Sequence, residues 1–370
     1  MKITISRDLL LKPLQLAAGV VEKRQTFPVL SHVLVLIEKK QMMIVGTDTE
    51  VELCGMLQLE GNVIENTQFT VSGRKFVDIC RALPEGSVLE ITEENGRITA
   101  VSGRSRFVLS SLPANDFPRT PEQASIMEFT VKQKDLRNLV EKTAFAIPQQ
   151  DVRQYLNGLL FEVKEGVIRA LATDGHRLAL GSMPVSDSDD AFAQVIIPRK
   201  GVLELMRFLS DPDKDAKIML NNNFIRVTTE DAVFTSKLVN GRFPNFNKLI
   251  PKKCDKQIII NKEILKQSLV RVGILSSELF RSARFQLDSN LLRLTTNNQD
   301  KNEEAMEEIP VDYPKESFET SFNINYFLDI INCLNTEDVS ISLKDEDGSA
   351  IIEEINGETN NLYILMPIRH

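Results

Sequence analysis

Residues 2–14 of the chain, KITISRDLLLKPL, join a short strand pattern to the start of an amphipathic helix. The two isoleucines alternate with polar residues, as in a half-buried strand, and Leu10 and Leu14 are four residues apart, which places them on one helix face. The same pattern returns in residues 128–140 (EFTVKQKDLRNLV) and 257–269 (QIIINKEILKQSL), at shifts of 126 and 129 residues. A strand that leads into a helix three times indicates a chain built from three copies of one unit.

Further landmarks recur at nearly the same interval. They are the dipeptide TD at 47–48 and 173–174, the dipeptide RK at 74–75 and 199–200, and the string LxxxxFP at 112–118 and 238–244. Two first-copy residues also match the third copy at a shift of 251, namely Asp78 with Asp329 and Leu83 with Leu334. Duplication explains so many matches at one interval, and we therefore predict three domains, at residues 1–126, 127–253 and 254–370.

The order of elements within each domain is strand, helix, several short strands, a second helix and further strands. Turn-forming dipeptides such as Asn95-Gly96 and Asp347-Gly348 separate the alternating segments, which is typical of antiparallel hairpins. We predict an α+β fold in which each domain packs two helices on antiparallel sheets. The predicted helices are residues 7–24, 74–81, 132–142, 199–207, 262–284 and 323–335.

The composition is that of a soluble globular protein, with 42% apolar and 26% charged residues among 370. The N-terminus lacks the apolar run of a signal peptide, and no stretch approaches the roughly 20 apolar residues of a membrane span. The four cysteines are scattered and form no CxxC, which argues against a zinc site and a disulfide framework. We expect a cytoplasmic protein without a cofactor.

Motifs of catalysis are missing from the sequence, which contains no GxxxxGK[ST], GxGxxG, HExxH or GxSxG. Only three histidines are present, too few for a histidine-based metal cluster. Asp174 and His176 lie together in ATDGHRLAL, where a catalytic Asp–His pair is one hypothesis. Asp-Gly is a turn former and no nucleophile motif accompanies the pair, so we favour a hairpin tip. We predict no catalytic and no metal-binding residues.

Charge is distributed unevenly along the chain. The three domains have net charges of −1, +3 and −10 in chain order, and the chain has −8. The predicted helices together have +10, so the remainder has −18. Basic helices repeated within an acidic protein indicate a shared surface that binds a polyanion by releasing counterions from phosphates. The alternative is that these helices have ordinary solvated basic faces.

The first and third domains differ in charge in a way that suits a head-to-tail contact between two copies, which can close a ring. The third domain has an acidic run of Glu303, Glu304, Glu307 and Glu308, and the first has Lys75, Arg104 and Arg106. The alternative is that the acidic run is solvated.

Several long strings resemble the beta subunit family of bacterial DNA polymerase III, the sliding clamps. They include LATDGHRLAL, QDVRQYLNGLLFE, TSKLVNGRFP and the ending YILMPIRH, and the resemblance covers the whole chain. It implies a head-to-tail homodimer that forms a ring around duplex DNA, with helices on the inner wall and sheets outside. It also implies a non-catalytic processivity factor that tethers the DNA polymerase III catalytic subunit, other polymerases and repair proteins, and that a clamp loader opens.

The resemblance also implies the residues of two contact surfaces. Sequence-independent DNA contacts map to Arg24, Arg74, Gln150, Gln154, Tyr155, Arg199 and Lys200, most of which can reach phosphates. Gln154 stands where the family often has an aromatic residue. The contact between subunits maps to Lys75, Arg104, Arg106, Phe107, Leu109, Ile274, Leu275, Glu303 and Glu304. For Ile274 and Leu275 the alternative is ordinary core packing.

A hydrophobic groove between the second and third domains is the third implied site, and short peptides of replication and repair proteins bind there in the family. Its lining maps to Arg153, Leu156, Thr173, Gly175, His176, Arg177, Leu178, Pro244, Leu249, Asn323, Tyr326, Ser349, Met366, Pro367, Ile368 and Arg369. Apolar walls with a few polar groups are typical of peptide pockets. His370 replaces the usual apolar last residue. The alternative for YILMPI is a last buried strand.

Two other functions compete with the clamp. A DNA-binding nuclease or glycosylase needs clustered carboxylates, for which Asp187, Asp189 and Asp190 are the compact candidates. A protein-interaction scaffold that does not bind DNA would use the groove and leave the basic helices without a ligand.

Overall fold

The computed structural model describes residues 2–21, 27–59, 66–121, 123–186, 192–246, 250–251, 254–277, 281–298, 300–345, 348–355 and 360–368. These residues form 24 strands and six helices. The predicted α+β class with antiparallel sheets is confirmed. No helix of the described residues is long and apolar enough to span a membrane.

The first repeat contains eight strands and two helices. The elements are β1 (Lys2–Ser6), α1 (Arg7–Gly19), β2 (His32–Glu38), β3 (Gln41–Thr47), β4 (Val51–Gln58), β5 (Thr67–Ser72), α2 (Gly73–Ala82), β6 (Val88–Glu94), β7 (Arg97–Ser102) and β8 (Ser105–Ser110). Glycines let α1 pack directly on the sheet, since a Cβ at Gly46 would lie 1.8 Å from the carbonyl oxygen of Ala17, and one at Gly55 2.5 Å from Pro13 Cβ.

The second repeat has the same order of elements. They are β9 (Met127–Lys132), α3 (Gln133–Ala144), β10 (Gly158–Lys164), β11 (Val167–Thr173), β12 (Arg177–Pro184), β13 (Ala193–Pro198), α4 (Arg199–Phe208), β14 (Asp215–Leu220), β15 (Phe224–Thr228) and β16 (Ala232–Lys237). Leu136 and Val140, the counterparts of Leu10 and Leu14, are buried as the spacing predicts.

The third repeat again has eight strands and two helices. They are β17 (Lys256–Asn261), α5 (Lys262–Gly273), β18 (Ser282–Asp288), β19 (Leu291–Asn298), β20 (Glu303–Pro310), β21 (Phe318–Asn323), α6 (Ile324–Cys333), β22 (Asp338–Leu343), β23 (Ala350–Glu354) and β24 (Asn360–Leu365). Asn261 caps α5 by accepting hydrogen bonds from the backbone N–H groups of Glu263 and Ile264. Asn323, assigned to the groove from the sequence, caps α6 in the same way.

Two of the predicted helices are too long. The prediction of 262–284 is wrong beyond Gly273, where α5 ends and both the backbone N–H and the Oγ of Ser276 donate to the Gly273 carbonyl oxygen. Strand β18 begins inside the predicted range, at Ser282. Helix α1 likewise ends at Gly19 rather than at residue 24. Five of the six helices in the described residues still have a net positive charge, and α6 is the exception.

The strands form four antiparallel sheets, two of which join neighbouring repeats. Their orders are β1-β6-β7-β8, β5-β2-β3-β4-β16-β15-β14-β9, β13-β10-β11-β12-β24-β23-β22-β17 and β20-β19-β18-β21. Strand β4 of the first repeat pairs with β16 of the second, and β12 of the second with β24 of the third. Strands β8 and β20 lie at sheet edges and pair on one side only among the described residues.

Residue contacts divide the chain into two compact units. The first comprises Met1–Leu136, Val185–Ala193 and Lys200–Leu238, and the second comprises Arg137–Pro184, Gln194–Arg199 and Val239–His370. Each eight-stranded sheet, with the pairing between repeats that it contains, therefore lies almost wholly within one unit. The peptide-groove candidates all fall in the second unit.

Candidate functional site

An apolar cluster forms the base of the candidate groove. Leu156, Leu178 and Phe243 are buried in it, and Tyr155 packs against it with its ring edge-on to Phe243 at a centroid distance of 6.5 Å. Pro244 follows Phe243 in the chain and is exposed. The cluster therefore joins residues assigned to the groove with one assigned to DNA.

The turn after β11 supplies a polar edge to the groove. Asp174 Oδ1 accepts hydrogen bonds from the backbone N–H groups of His176 and Arg177 at 2.9 and 3.0 Å. Thr173 Oγ1 donates to the carbonyl oxygen of Arg177 and accepts from the N–H of Gly175, which has a φ of +89°. Asp174 thus builds the turn, and the hypothesis of a catalytic Asp–His pair is replaced by the hairpin tip.

Arg177 holds the second repeat to the third. Its guanidinium donates to Asp174 at 3.0 Å and to Asp329 at 2.5 Å, and it lies between the rings of Phe145 and Tyr326, 5.2 and 4.4 Å from their centroids. The side chain is 10% exposed. Such a cation, paired with two carboxylates and in contact with two aromatic rings, helps to hold Tyr326 at the groove.

Tyr326 forms a second wall with His176. The two rings stack at 6.1 Å with an interplanar angle of 22°. Burial raises the pKa of the Tyr326 hydroxyl, with a smaller contribution from the carboxylate of Asp174, so the hydroxyl stays a neutral hydrogen-bond donor.

The C-terminal segment closes this side of the site. Strand β24 ends at Leu365, and Met366 N donates to the carbonyl oxygen of His176 at 2.8 Å. Ile368 N donates to the carbonyl oxygen of Ser321 at 2.8 Å. Tyr363 and Leu365 are buried, whereas Met366 is 39% exposed. The segment is therefore both a last buried strand and, after it, a line of partly exposed apolar side chains.

The remaining described groove candidates are Ser349 and Pro367. Ser349 is half-buried directly before β23, and Pro367 is half-buried after β24. Leu249 and Arg369 lie outside the described residues, as do Arg24, assigned to DNA, and the carboxylates Asp187, Asp189 and Asp190.

Two arginines assigned to DNA occupy equivalent positions in the first two repeats. Arg74 Nη2 donates to the carbonyl oxygen of Val21 at 3.0 Å, and Arg199 Nη1 donates to that of Ile147 at 2.6 Å. Each therefore ties the start of the second helix of its repeat to the segment after the first helix. Lys200 forms an ion pair with Asp48 at 2.5 Å, within the first unit.

Three further DNA candidates lie in the segment between α3 and β10. Gln150 and Gln154 are exposed, and Tyr155 is half-buried. Val152, which the sequence did not single out, is 98% exposed in the same segment.

The candidates for the contact between subunits lie on or near the two strand edges. Arg106, Phe107 and Leu109 are in β8, and Arg104 immediately precedes it. Glu303 and Glu304 begin β20. Val108 and Met306, at 48% and 58% exposure, add apolar surface that the sequence did not single out.

Three further candidates flank these strands, two of them directly after α5 and one in α2. Ile274 is 74% exposed, so core packing is excluded for it, and Leu275 is half-buried. Lys75 is exposed on α2.

The sequence missed several residues that support these sites. Lys142 and Glu354 form a buried ion pair at 2.8 Å between α3 and β23. Asp151 binds Arg153 through both carboxylate oxygens. Asp329 could have been noticed from the sequence, because it matches Asp78 at the repeat shift of 251 residues. Among the described residues, no group of three His, Cys, Asp or Glu side chains could hold a metal ion.

The family models for the N-terminal, central and C-terminal domains of the DNA polymerase III beta subunit match residues 1–121, 130–245 and 247–369. The chain is 46% identical to a beta sliding clamp of Pseudomonas putida and 42% identical to that of Escherichia coli, over 369 residues and 100% of both chains in each case.

Solved structures show the same similarity. The DNA polymerase III subunit beta of Pseudomonas aeruginosa is similar at a TM-score of 0.97 with 44% identity, and covers 100% of both chains. Another structure of the clamp from that organism, bound to griselimycin, has a TM-score of 0.96 with the same identity and coverage. The Caulobacter crescentus pol III beta structure has a TM-score of 0.93 at 32% identity, again over 100% of both chains.

Proposed function

The chain belongs to the DNA polymerase III beta subunit family, the bacterial beta sliding clamps, and from this premise we propose how it holds DNA and its partners. Its function is that of a DNA sliding clamp, a non-catalytic processivity factor. The nuclease hypothesis and the scaffold hypothesis without DNA are therefore set aside. The observation that carries this conclusion is the similarity to sliding clamps over the whole chain.

We propose that two chains form a head-to-tail ring. Within one chain, β4 pairs with β16 and β12 with β24, and each pairing joins neighbouring repeats. The counterparts of these strands at the ends of the chain are β20 and β8, which have free edges among the described residues. Pairing β20 of one copy with β8 of another removes both edges and repeats the junction a third time.

The internal junctions supply a register for this pairing. Leu53 lies opposite Phe234, and Ala179 lies opposite Tyr363. Gly55 and Gly181 face α1 and α3, and Glu307 likewise faces α5, where it contacts Arg271. Glu307 is therefore their counterpart in β20. Ala305, two residues earlier, then corresponds to Leu53 and Ala179. In β8, Phe107 is the counterpart of Phe234 and Tyr363. We therefore expect Ala305 opposite Phe107, and Glu303 opposite Leu109.

Duplex DNA is proposed to pass through this ring with sequence-independent contacts to phosphates. The proposed contacts are Arg24, Arg74, Gln150, Gln154, Tyr155, Arg199 and Lys200. Arg199 and Lys200 begin α4, so two basic side chains lie at its N-terminal end, where the helix dipole favours a phosphate. A small number of contacts to phosphates rather than to bases suits a ring that must slide.

The groove of the second unit is proposed to take short peptides. Its apolar base, the stacked rings of His176 and Tyr326 and the exposed Met366 are features of a peptide pocket. The proposed partners are the DNA polymerase III catalytic subunit, the clamp loader, and other polymerases and repair proteins. Tethering raises the effective concentration of the polymerase at the template. A Pseudomonas aeruginosa relative has been solved bound to griselimycin, and we propose this compound as a probe of the groove in the present chain.

Two further assignments complete the proposal. The domains extend over 1–126, 127–253 and 254–370, in agreement with strand counts of eight per repeat. The protein acts in the cytoplasm, where replication takes place in bacteria.

The test is retention on DNA of different topology. The chain is loaded by a clamp loader onto nicked circular DNA and separated from free protein by gel filtration. We expect it to stay on the circle and to be lost when a restriction enzyme linearises the same DNA, since a ring slides off a free end. Equal retention on both forms would show binding by contact rather than by encirclement.

A further inference from the structure

Arg153 is held in place by one carboxylate. Its Nε and Nη2 donate to Asp151 Oδ1 and Oδ2 at 2.9 and 2.8 Å, and its backbone N–H donates to Oδ1 at 2.8 Å. The Arg153 side chain is 47% exposed, so packing alone does not fix its rotamer. Bidentate pairing with Asp151 therefore sets the direction of the guanidinium.

The backbone of Asp151 is in turn held by a carboxamide. Asp151 N donates to Asn157 Oδ1 at 2.7 Å, and Asn157 Nδ2 donates to the carbonyl oxygen of Asp151 at 2.8 Å. Both polar atoms of the Asn157 side chain thus bind the two backbone groups of one residue. The turn between them is closed by Asn157 N, which donates to the carbonyl oxygen of Gln154 at 3.1 Å.

The backbone at Asn157 is held in place by contacts with the start of α4 and with β13. Its carbonyl oxygen accepts from Arg199 N, the first residue of α4, at 3.0 Å. The next residue, Gly158, lies so close to β13 that a Cβ there would be 2.5 Å from the carbonyl oxygen of Ile197. The carboxamide is therefore presented from a well-packed part of the second unit.

This series of contacts ends at the turn after β11, which forms the polar edge of the groove. A Cβ at Gly175 would lie 3.1 Å from Arg153 Nη2, and Gly175 has a φ of +89° that favours glycine. The guanidinium thus lies against the backbone of the turn that also carries Thr173 and His176. Arg153 can line the groove only while it keeps this position.

We infer that Asn157 is a positioning residue for peptide binding, which holds Asp151 so that Arg153 lies against Gly175 at the groove wall. The inference rests on the proposed groove and adds to it a residue that does not itself line the groove. The electrostatics agree with it: the Arg153 guanidinium, and after it the Arg153 N–H, lower the pKa of Asp151 to about 2. Asp151 consequently stays ionised, and keeps its hold on Arg153, across the neutral range.

A double-mutant cycle of Asn157→Ala and Arg153→Ala tests the inference. The probe is a fluorescein-labelled peptide that contains the clamp-binding segment of the DNA polymerase III catalytic subunit, and anisotropy gives its affinity for the full chain. Each single variant is expected to bind about tenfold more weakly, from the loss of one or two hydrogen bonds and the order that they impose. In the Arg153→Ala background, Asn157→Ala should have no further effect.

The controls separate this inference from the function on which it rests. Asn157→Asp keeps the shape and the Oδ1 acceptor but places a carboxylate oxygen against the carbonyl oxygen of Asp151, and should weaken binding at least as much as Asn157→Ala; it also serves if the alanine variant does not fold. Normal affinity in both Asn157 variants, or an equal loss with and without Arg153, overturns the positioning role while leaving the groove intact. Failure of the unsubstituted chain to bind the peptide overturns the groove and the inference together.

Discussion

Lys142 and Glu354 form an ion pair that is almost fully removed from solvent, with side chains 9% and 3% exposed. The Glu354 carboxylate also accepts hydrogen bonds from Asn335 N at 2.6 Å and from Asn361 Nδ2 at 3.4 Å. Burial acts to raise the pKa of Glu354, but Lys142 and the other donors outweigh it and the pKa is lowered. The pair joins the first helix of the second repeat to a strand of the third.

Replacing Lys142 with methionine should lower the free energy of unfolding by about 3–5 kcal/mol at neutral pH, because a buried carboxylate loses its cation. The contribution of Glu354 is present above its ordinary pKa of 4.5 and is lost as the pH falls through the lower pKa of the folded chain. The difference between the parent and Lys142→Met should therefore shrink in acid. Urea unfolding at several pH values measures this difference.

The matched control for this pair is Lys142→Met combined with Glu354→Leu, which removes both charges. The double variant should recover most of the lost stability, since replacement of a whole buried pair by apolar side chains is often neutral. A single variant as stable as the parent at neutral pH would mean that Glu354 is hydrated or protonated in the folded chain.

At the scale of elements, the two junctions between repeats are built alike but differ in polarity. Leu178 is buried in the apolar cluster of the second junction, and its counterpart in the first junction is Glu52. Glu52 Oε2 accepts from Thr120 N at 2.9 Å and lies 3.4 Å from Arg119 Nε. The first junction thus has a bound carboxylate where the second has an apolar side chain. Because of this difference, we expect an apolar groove at the second junction and none at the first, although the two junctions are built from equivalent strands.

The register proposed for β20 and β8 makes a prediction at the same scale. Glu303→Cys and Leu109→Cys in one chain should form a disulfide between two copies, since opposite residues in an antiparallel pair bring their Cβ atoms within about 4.5–5.5 Å. Non-reducing electrophoresis after mild oxidation detects the product as a covalent dimer.

The control for the cross-link is Glu304→Cys with Leu109→Cys, which is out of register by one residue and faces the other side of the sheet. It should cross-link far more slowly, and so should the parent chain, because its four cysteines (Cys54 and Cys80 buried, Cys254 and Cys333 half-buried) lie outside β8 and β20. Faster cross-linking in the control would contradict the register, while no cross-link in either would contradict the pairing of these edges.

At the scale of the whole molecule, two chains would contribute six repeats and six junctions. Four junctions lie inside the chains, and one of the two between chains must open for DNA to enter. Ile274 is 74% exposed beside the third repeat's acidic edge strand, a position that costs free energy in a monomer and suits an interface.

Ile274→Asp should convert the dimer to a monomer, because it places a charge in the apolar part of the contact. Light scattering should give about twice 41.8 kDa for the parent and about 41.8 kDa for the variant. Val270→Asp, four residues earlier in α5 and 50% exposed, is the matched control and should remain dimeric. A dimeric Ile274→Asp variant would move the contact elsewhere.

The repeat, the α+β class and the buried helix faces can all be predicted from the amino-acid sequence. These follow from spacing: Leu10 and Leu14 recur as Leu265 and Leu269, and all four are buried. Periodic burial is a local property, because each apolar residue must face the core of its own repeat. Helix ends were less predictable, and the helix predicted over 262–284 in fact ends at Gly273. A stretch of mixed polar and apolar residues can be a last helical turn or a loop, and the sequence does not distinguish the two.

The residues that support the candidate sites could be identified only in the folded chain. The pairing of Lys142 with Glu354, the stacking of Arg177 on Tyr326 and the hold of Asn157 on Asp151 depend on where distant or turned segments meet. No periodicity encodes such contacts, because each is set by sheet register and by the close approach that particular glycines allow. The sequence therefore determines the repeated unit, while its packing against the next repeat decides where a ligand can bind.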